Sequence, residues 1–205
     1  MLNVMVDYMM SKERKKMKQE KILSILHRLL DAPEMTQKGP DDDALTGILE
    51  VAKWSPSAAN LQPWEIILVS NQGDKEKLVQ ATLDPLMRDE PDSRAFWLTE
   101  APMIIIVCAD VKRVRARYGR DRALPIALGD LGGFLLALRV AASADGWTTG
   151  IVREFDRSRM RSAFGIPEFI EPLALIAICR EEISSQTVVD KPTMDVKDFL
   201  HRGKW

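Results

Sequence analysis

The chain predicts a layered α/β arrangement, with helices packed on a sheet. Three observations lead there. Ile66–Val69, Met103–Ala109 and Leu173–Cys179 are short apolar runs rich in β-branched residues, and read as buried strands. Longer segments between them repeat apolar residues at helical spacing. In Ile126–Ala144 the residues Leu131, Phe134, Leu135, Leu138, Ala141 and Ala142 make one stripe. At 205 residues, with 46% hydrophobic and 29% charged residues, the composition suits one domain with a sizeable core.

The same composition narrows the function classes. A formal net charge of −1 gives no reason to expect nucleic acid or an anionic membrane as a partner. No apolar stretch approaches the roughly 20 residues of a membrane span, and Met1–Met10 lacks the basic start and long apolar region of a secretory signal. Cys108 and Cys179 lie far apart inside strand-like runs, which suits a reducing cytoplasm better than a disulfide framework. His27 and His201 are the two histidines, so no metal-ligand pattern is present.

In chain order, residues 1–20 read as a charged extension, dense in basic residues from Lys12 to Lys21, and residues 21–205 as a single domain. Ile22, Ile25, Leu26 and Leu29 repeat at helical spacing. Gly39-Pro40-Asp41 breaks the chain, and an Asp there caps a helix carrying Leu45 through Trp54. After the strand Glu65–Ser70 comes a helix over Asp74–Leu86, ended between Pro85 and Pro91. Ala95–Glu100 then leads through Ala101-Pro102 into the second strand. Lys112–Arg122 holds six basic residues in eleven. It reads as a mobile exposed loop, with a cationic rim that attracts an anionic substrate as the functional reading. Ile126–Ala144 follows, then a turn over Asp145–Gly150. Asp156 caps a short helix to Phe164 with Gly165 as its stop, and Leu173–Cys179 is the third strand.

The most informative segment is Trp54-Ser-Pro-Ser-Ala-Ala-Asn-Leu-Gln-Pro-Trp64. It connects a helix to a strand and concentrates hydrogen-bonding side chains. Ser, Asn and Gln can read a polar ring edge, while the fixed φ of two prolines keeps the loop in shape. Ser55, Pro56, Ser57, Asn60, Gln62, Pro63 and Trp64 resemble, without a gap, the FMN-binding loop of the nitroreductase family, Ala/Ser-Pro-Ser-x-x-Asn-x-Gln-Pro-Trp. The closing segment from Asp190 to Trp205 is similar to that family's C-terminal pattern, and the resemblance covers about Ala44 to Trp205.

The resemblance implies an α+β sandwich with a mostly antiparallel central sheet flanked by helices, and a homodimer that exchanges C-terminal arms. It implies an FMN-dependent oxidoreductase that uses NADH or NADPH to reduce nitroaromatics, quinones or similar small acceptors by ping-pong hydride transfer. Flavin N5 then carries the chemistry and no side chain is catalytic in its own right. Pro56, Ser57 and Asn60 fall near the flavin, serving the partner subunit's cofactor, with Gln62 and Trp64 supporting the loop. Gly150, Ile151, Val152, Arg153 and Glu154 fall where the family presents backbone N–H groups to the ring. Arg28, Lys191 and Arg202 are candidates for the phosphate, with His27 and Lys204 beside them.

The chain also departs from the family pattern. Leu29–Asp31 and Thr193 replace phosphate-binding residues, and Thr lacks the fork that an Arg offers a phosphate. Arg153 and Glu154 stand where glycines are common, narrowing the site or pairing with each other. These departures motivate two alternatives: different flavin chemistry on the same fold (dehalogenation, flavin fragmentation or dehydrogenation), or a degenerate, non-catalytic flavin-binding protein.

Overall fold

A computed structural model describes residues 17, 19–30, 36, 38–82, 97–180 and 192–203. The extension over residues 1–16, the expected helix end at residues 83–86, the break to Pro91, and Lys191 and Lys204 lie outside the described residues.

Residues 19–28 form α1. Then come α2 (Asp42–Ala52), a 3-10 turn (Ala58–Asn60), β1 (Trp64–Val69), α3 (Gln72–Thr82), α4 (Trp97–Glu100) and β2 (Met103–Asp110). The second half holds α5 (Val111–Tyr118), α6 (Arg120–Ala144), β3 (Trp147–Val152), α7 (Arg157–Phe164), β4 (Ile170–Arg180) and α8 (Val196–Phe199). Caps fix several starts. Asp41 accepts from the Ala44 N–H at 2.9 Å and opens α2. Asp156 accepts from the Ser158 and Arg159 N–H groups and opens α7, which Gly165 ends in the left-handed conformation, as the sequence predicts.

The sheet runs β1-β2-β4-β3, and every pairing is antiparallel. β2 and β4 occupy the middle and bury both faces, which is why they read as continuous apolar runs. Met103, Ile105, Val107 and Ala109 of β2, with Ala174, Ile176 and Ile178 of β4, face α2, α5 and α6. Ile104, Ile106, Cys108, Leu175 and Ala177 face α3, α4 and α7. The result is a three-layer α/β/α sandwich of the α+β class. Pro172 opposes Cys108 and Ala174 opposes Val107, so Leu173 is an extra residue in the ladder. Pro172 has no N–H to donate, and the bulge falls beside it.

Three sequence expectations are corrected. Lys112–Arg122 is helical, divided between α5 and the start of α6, and joined at Gly119 with φ +79°. Few of its residues are apolar, but Val114 within it and Ala123 just after it are buried and dock the two helices on the core. For that reason α6 begins six residues before Ile126 and carries Pro125 in its second turn. The expected turn over Asp145–Gly150 instead becomes most of a fourth strand. β3 is an edge strand with a short polar sequence, so it leaves no apolar run to detect.

Helix α6 is, among the described residues, the one helix long and apolar enough to cross a bilayer by length and composition. Its Leu131, Phe134, Leu135 and Leu138 are buried against the sheet, as a core helix requires. Phe134 stacks on Trp64 of β1 with centroids 4.9 Å apart, fixing the helix over the strand that follows the Pro/Ser/Asn loop.

Candidate functional site

The loop between α2 and β1 holds an uncommon backbone. Ala59, Asn60 and Gln62 take positive φ values of 48°, 56° and 49°. None is glycine, so each carries steric strain, least for Asn. Four contacts hold the shape. The Gln62 N–H donates to Ser57 Oγ at 2.9 Å, and Gln62 Nε2 donates to Asn60 Oδ1 at 3.1 Å. Arg113 of α5 donates to the Gln62 carbonyl and pairs with Glu65 at 2.5 Å. The Ala58 N–H donates to both carboxylate oxygens of Asp130 on α6, at 3.1 and 3.0 Å. Pro56 and Asn60 are exposed and Ser57 is half-buried.

Where α2 runs into this loop, Ser55 is buried and its Oγ has no hydrogen-bond partner among the described residues. A Cβ on Gly133 would lie 3.1 Å from that oxygen, so glycine lets α6 approach the loop closely. Gly129 and Gly132 face open space.

The second group of candidates gathers at the other edge of the sheet. Gly150 is buried, and Ile151 and Val152 are half-buried at the end of edge strand β3. Arg153 and Glu154 follow, both exposed. β3 pairs only with β4 among the described strands, so its outer backbone groups have no strand partner. Arg153 makes no ion pair with Glu154, against one of the two expectations for that pair. Its charge instead acts on Arg139 of α6, whose guanidinium is held below its ordinary pKa by burial first and by Arg153 second. Arg139 donates through Nη2 to the Leu29 carbonyl at 2.6 Å and through Nε to Thr149 Oγ1 at 3.1 Å. This ties the end of α1, where Arg28 stands half-buried, to β3. No carboxylate among the described residues forms an ion pair with Arg139 or Arg153. Arg202 is exposed in the tail beyond α8.

The loop (residues 54–63) and the β3 end therefore share one end of the sheet but stand on its opposite edges, three strand spacings apart. That is roughly 14 Å at 4.7–4.9 Å per spacing. Helix α6 bridges them: nine residues separate Asp130 from Arg139, an axial rise of about 14 Å. Neither residue was singled out from the sequence. A signal was present, since these are the two charged residues of the apolar stretch Ile126–Ala144. A charge kept within a buried stripe needs a polar partner.

Comparison with known proteins places the fold in a family. The model of the nitroreductase family matches residues 35–179. A protein of Archaeoglobus fulgidus, provisionally named NADH dehydrogenase/NAD(P)H nitroreductase, is 28% identical over 166 residues, covering 80% of this chain and 87% of its own. The NADH dehydrogenase of Thermus thermophilus is 26% identical over 164 residues, covering 65% of this chain and 74% of its own. Among solved structures, a nitroreductase family protein of Streptococcus pneumoniae superposes with a TM-score of 0.72 at 19% identity, over 88% of this chain and 99% of that one. The match to the family model spans most of the sequence and includes the loop, α6 and β3: the chain belongs to the nitroreductase family.

Proposed function

We propose that the protein is a cytoplasmic, homodimeric FMN-dependent oxidoreductase that uses NADH or NADPH to reduce nitroaromatic, quinone or similar acceptors. Family membership and the relatives' names support an oxidoreductase. The observation that carries the finer reading is the split site. One edge of the chain offers a stiffened polar loop, and the other offers strand N–H groups without a strand partner beside Arg139 and Arg153, which make no ion pair among the described residues. Two copies that bring the loop of one against the β3 edge of the other complete a cleft that neither holds alone.

The donor chemistry fits FMN. Asn60 and the Ser57 hydroxyl offer polar atoms to a heteroaromatic ring edge. The outer N–H groups at Ile151–Glu154 suit a ring atom that gains negative charge on reduction. Arg139 and Arg153 make no ion pair among the described residues and, with Arg28 at the end of α1, form a positive end that suits a phosphate. Lys191 and Arg202 stand in the tail that we propose crosses to the partner and closes this end. Bound flavin supplies hydride transfer, taken from the nicotinamide and passed to the acceptor in ping-pong order. The chain's own residues bind, orient and exclude water, so positioning supplies most of their contribution.

Dimerisation is supported by apolar side chains left exposed on elements around the proposed cleft. Trp54 is 83% exposed, and Leu26, Leu136, Phe199 and Leu200 are exposed on α1, α6 and the tail. Cys108 and Cys179 are both buried and in no disulfide, which suits a reducing compartment.

The test is an absorbance spectrum of the purified protein with and without added FMN, followed by anaerobic NAD(P)H, with mass determined by sedimentation. A dimer with one flavin per chain, bleached by NAD(P)H and restored by a quinone, is expected. A monomer, or a dimer that takes up no FMN, refutes the proposal.

A further inference from the structure

The cationic run of residues 112–122 holds six basic residues and one acid, Asp121, in a chain of net charge −1. The fold concentrates it on the end of α5 and the first turn of α6. Two of the six have local work. Arg113 pairs with Glu65 and Asp110, and Lys112 lies 5.4 Å from the Phe169 ring centre. Arg115, Arg117, Arg120 and Arg122 are exposed and make no ion pair among the described residues. The helix they flank adds to their field: α6 is 25 residues long, and its N-cap Gly119 provides no side-chain acceptor. Four like charges around a helix N-terminus repel one another, and packing in the described chain does not explain them.

Their position is tied to the candidate site. Arg113 donates to the Gln62 carbonyl, and α6 holds the Ala58 N–H through Asp130. The four arginines form a ridge toward the other end of the same helix pair: ten residues of α6, an axial rise of about 15 Å, separate Arg120 from the Asp130 anchor of the loop, a distance that a dinucleotide spans.

We propose that this ridge receives the phosphates of the electron donor and gives the enzyme a preference for NADPH over NADH. The inference rests on the NAD(P)H reading above. The two donors differ by one phosphate dianion. Guanidinium forks bind phosphate oxygens in pairs, and a concentrated positive surface raises the encounter rate with an anion in a salt-dependent way. NADPH is discriminated at docking, before any electron moves, so the effect belongs in kcat/KM and not in kcat.

The test compares wild type with the quadruple variant R115Q/R117Q/R120Q/R122Q, and with the milder R117Q/R120Q should the first fold poorly. Steady-state rates are taken with both donors at low and high salt. Wild type is expected to favour NADPH by about tenfold in kcat/KM at low salt, with the ratio falling as salt rises. Either variant should lose most of that preference while keeping its flavin absorbance and its kcat at saturating donor. Equal use of the two donors by wild type, or an unchanged ratio in the variants, overturns the proposal. Calorimetric titration of the full-length protein with 2′,5′-ADP and with 5′-AMP reads the ridge independently of flavin. Tighter binding of 2′,5′-ADP that the variants abolish supports it, and equal binding of the two nucleotides overturns it. Failure to take up FMN would instead strike the function proposed above and leave this titration standing.

Discussion

Replacing Asp130 with alanine tests whether the polar loop is held in a strained shape for use. Ala59, Asn60 and Gln62 sit in the left-handed region, and at about 1 kcal/mol each, less for Asn, the loop stores roughly 2–3 kcal/mol. Three of its four restraints are local or lie at the surface. The fourth is the Ala58 N–H to Asp130 contact, with both oxygens within 3.1 Å, and it reaches 72 residues along the chain to a half-buried carboxylate. Hydrogen bonds to a charged acceptor contribute about 1.5–3 kcal/mol, comparable to the stored strain. Without Asp130 the loop in the ligand-free protein relaxes, and a ligand must rebuild the shape on binding. We therefore expect Asp130→Ala to weaken FMN binding by about thirtyfold, which is ~2 kcal/mol at 1.4 kcal/mol per decade. The melting temperature should fall by less than about 4 °C, because the strain released as the loop relaxes offsets most of the lost contact. Asp130→Asn keeps one acceptor oxygen and should fall between the two. Flavin fluorescence titration and thermal circular dichroism read both numbers. If Asp130→Ala binds FMN as wild type does, the loop is not restrained through α6 and the argument fails.

Other expectations follow from single contacts. Arg139→Met removes the donors to Leu29 and Thr149, and should speed amide exchange over residues 19–30 while lowering the melting temperature. Arg139→Lys should not restore the exchange, because one ammonium cannot reach acceptors that the guanidinium spans with Nε and Nη2. Asp156→Ala loses the cap of α7 and should cost about 1 kcal/mol, or about 2–4 °C, by thermal melting. Burial pushes the Cys108 thiol up to about 12, while in the unfolded chain it ionises near 8.5. Above that pH the unfolded state holds fewer protons than the native one, so stability declines from about pH 8.5 until pH 12. By pH 10 the loss is about 2 kcal/mol for this thiol. Urea melts from pH 8 to 10 should show a shallower decline in Cys108→Ala; an identical slope would count against the buried neutral thiol.

How far the fold could be read in the sequence depended on burial. β2 and β4 face helices on both sides, so their inner stretches Met103–Ala109 and Leu173–Cys179 had to be apolar at every position, and both were plain. β3 packs one face and ends a sheet, and Trp147-Thr-Thr-Gly-Ile-Val152 carries no run and little alternation. α5 and the first turns of α6 left little signal because a helix docked mainly by Val114 and Ala123 needs few apolar residues, and arginines filled much of the rest. The loop motif was legible as a group. The structure adds that much of its polarity is spent inside the loop, with Ser57 on Gln62 and Gln62 on Asn60. The anchors on α6 looked like interruptions of an apolar stripe, since their partners stand 72 and 110 residues away.

The division of the site across two edges follows from strand composition more directly than from any motif. A strand apolar throughout must be interior, and one that admits Glu65 or a Thr-Thr-Gly step tolerates an edge. With β2 and β4 in the middle, β1 and β3 can only flank them, one on each side. The loop that precedes β1 and the N–H groups that end β3 are then separated by two buried strands in any arrangement that keeps the core dry. No side-chain rotation within one chain closes a gap of roughly 14 Å. In the dimer proposed above, a ligand reaches the loop of one copy and the β3 end of the other, and the exposed glycines, Leu136 and Trp54 lie on the elements such a pairing would cover.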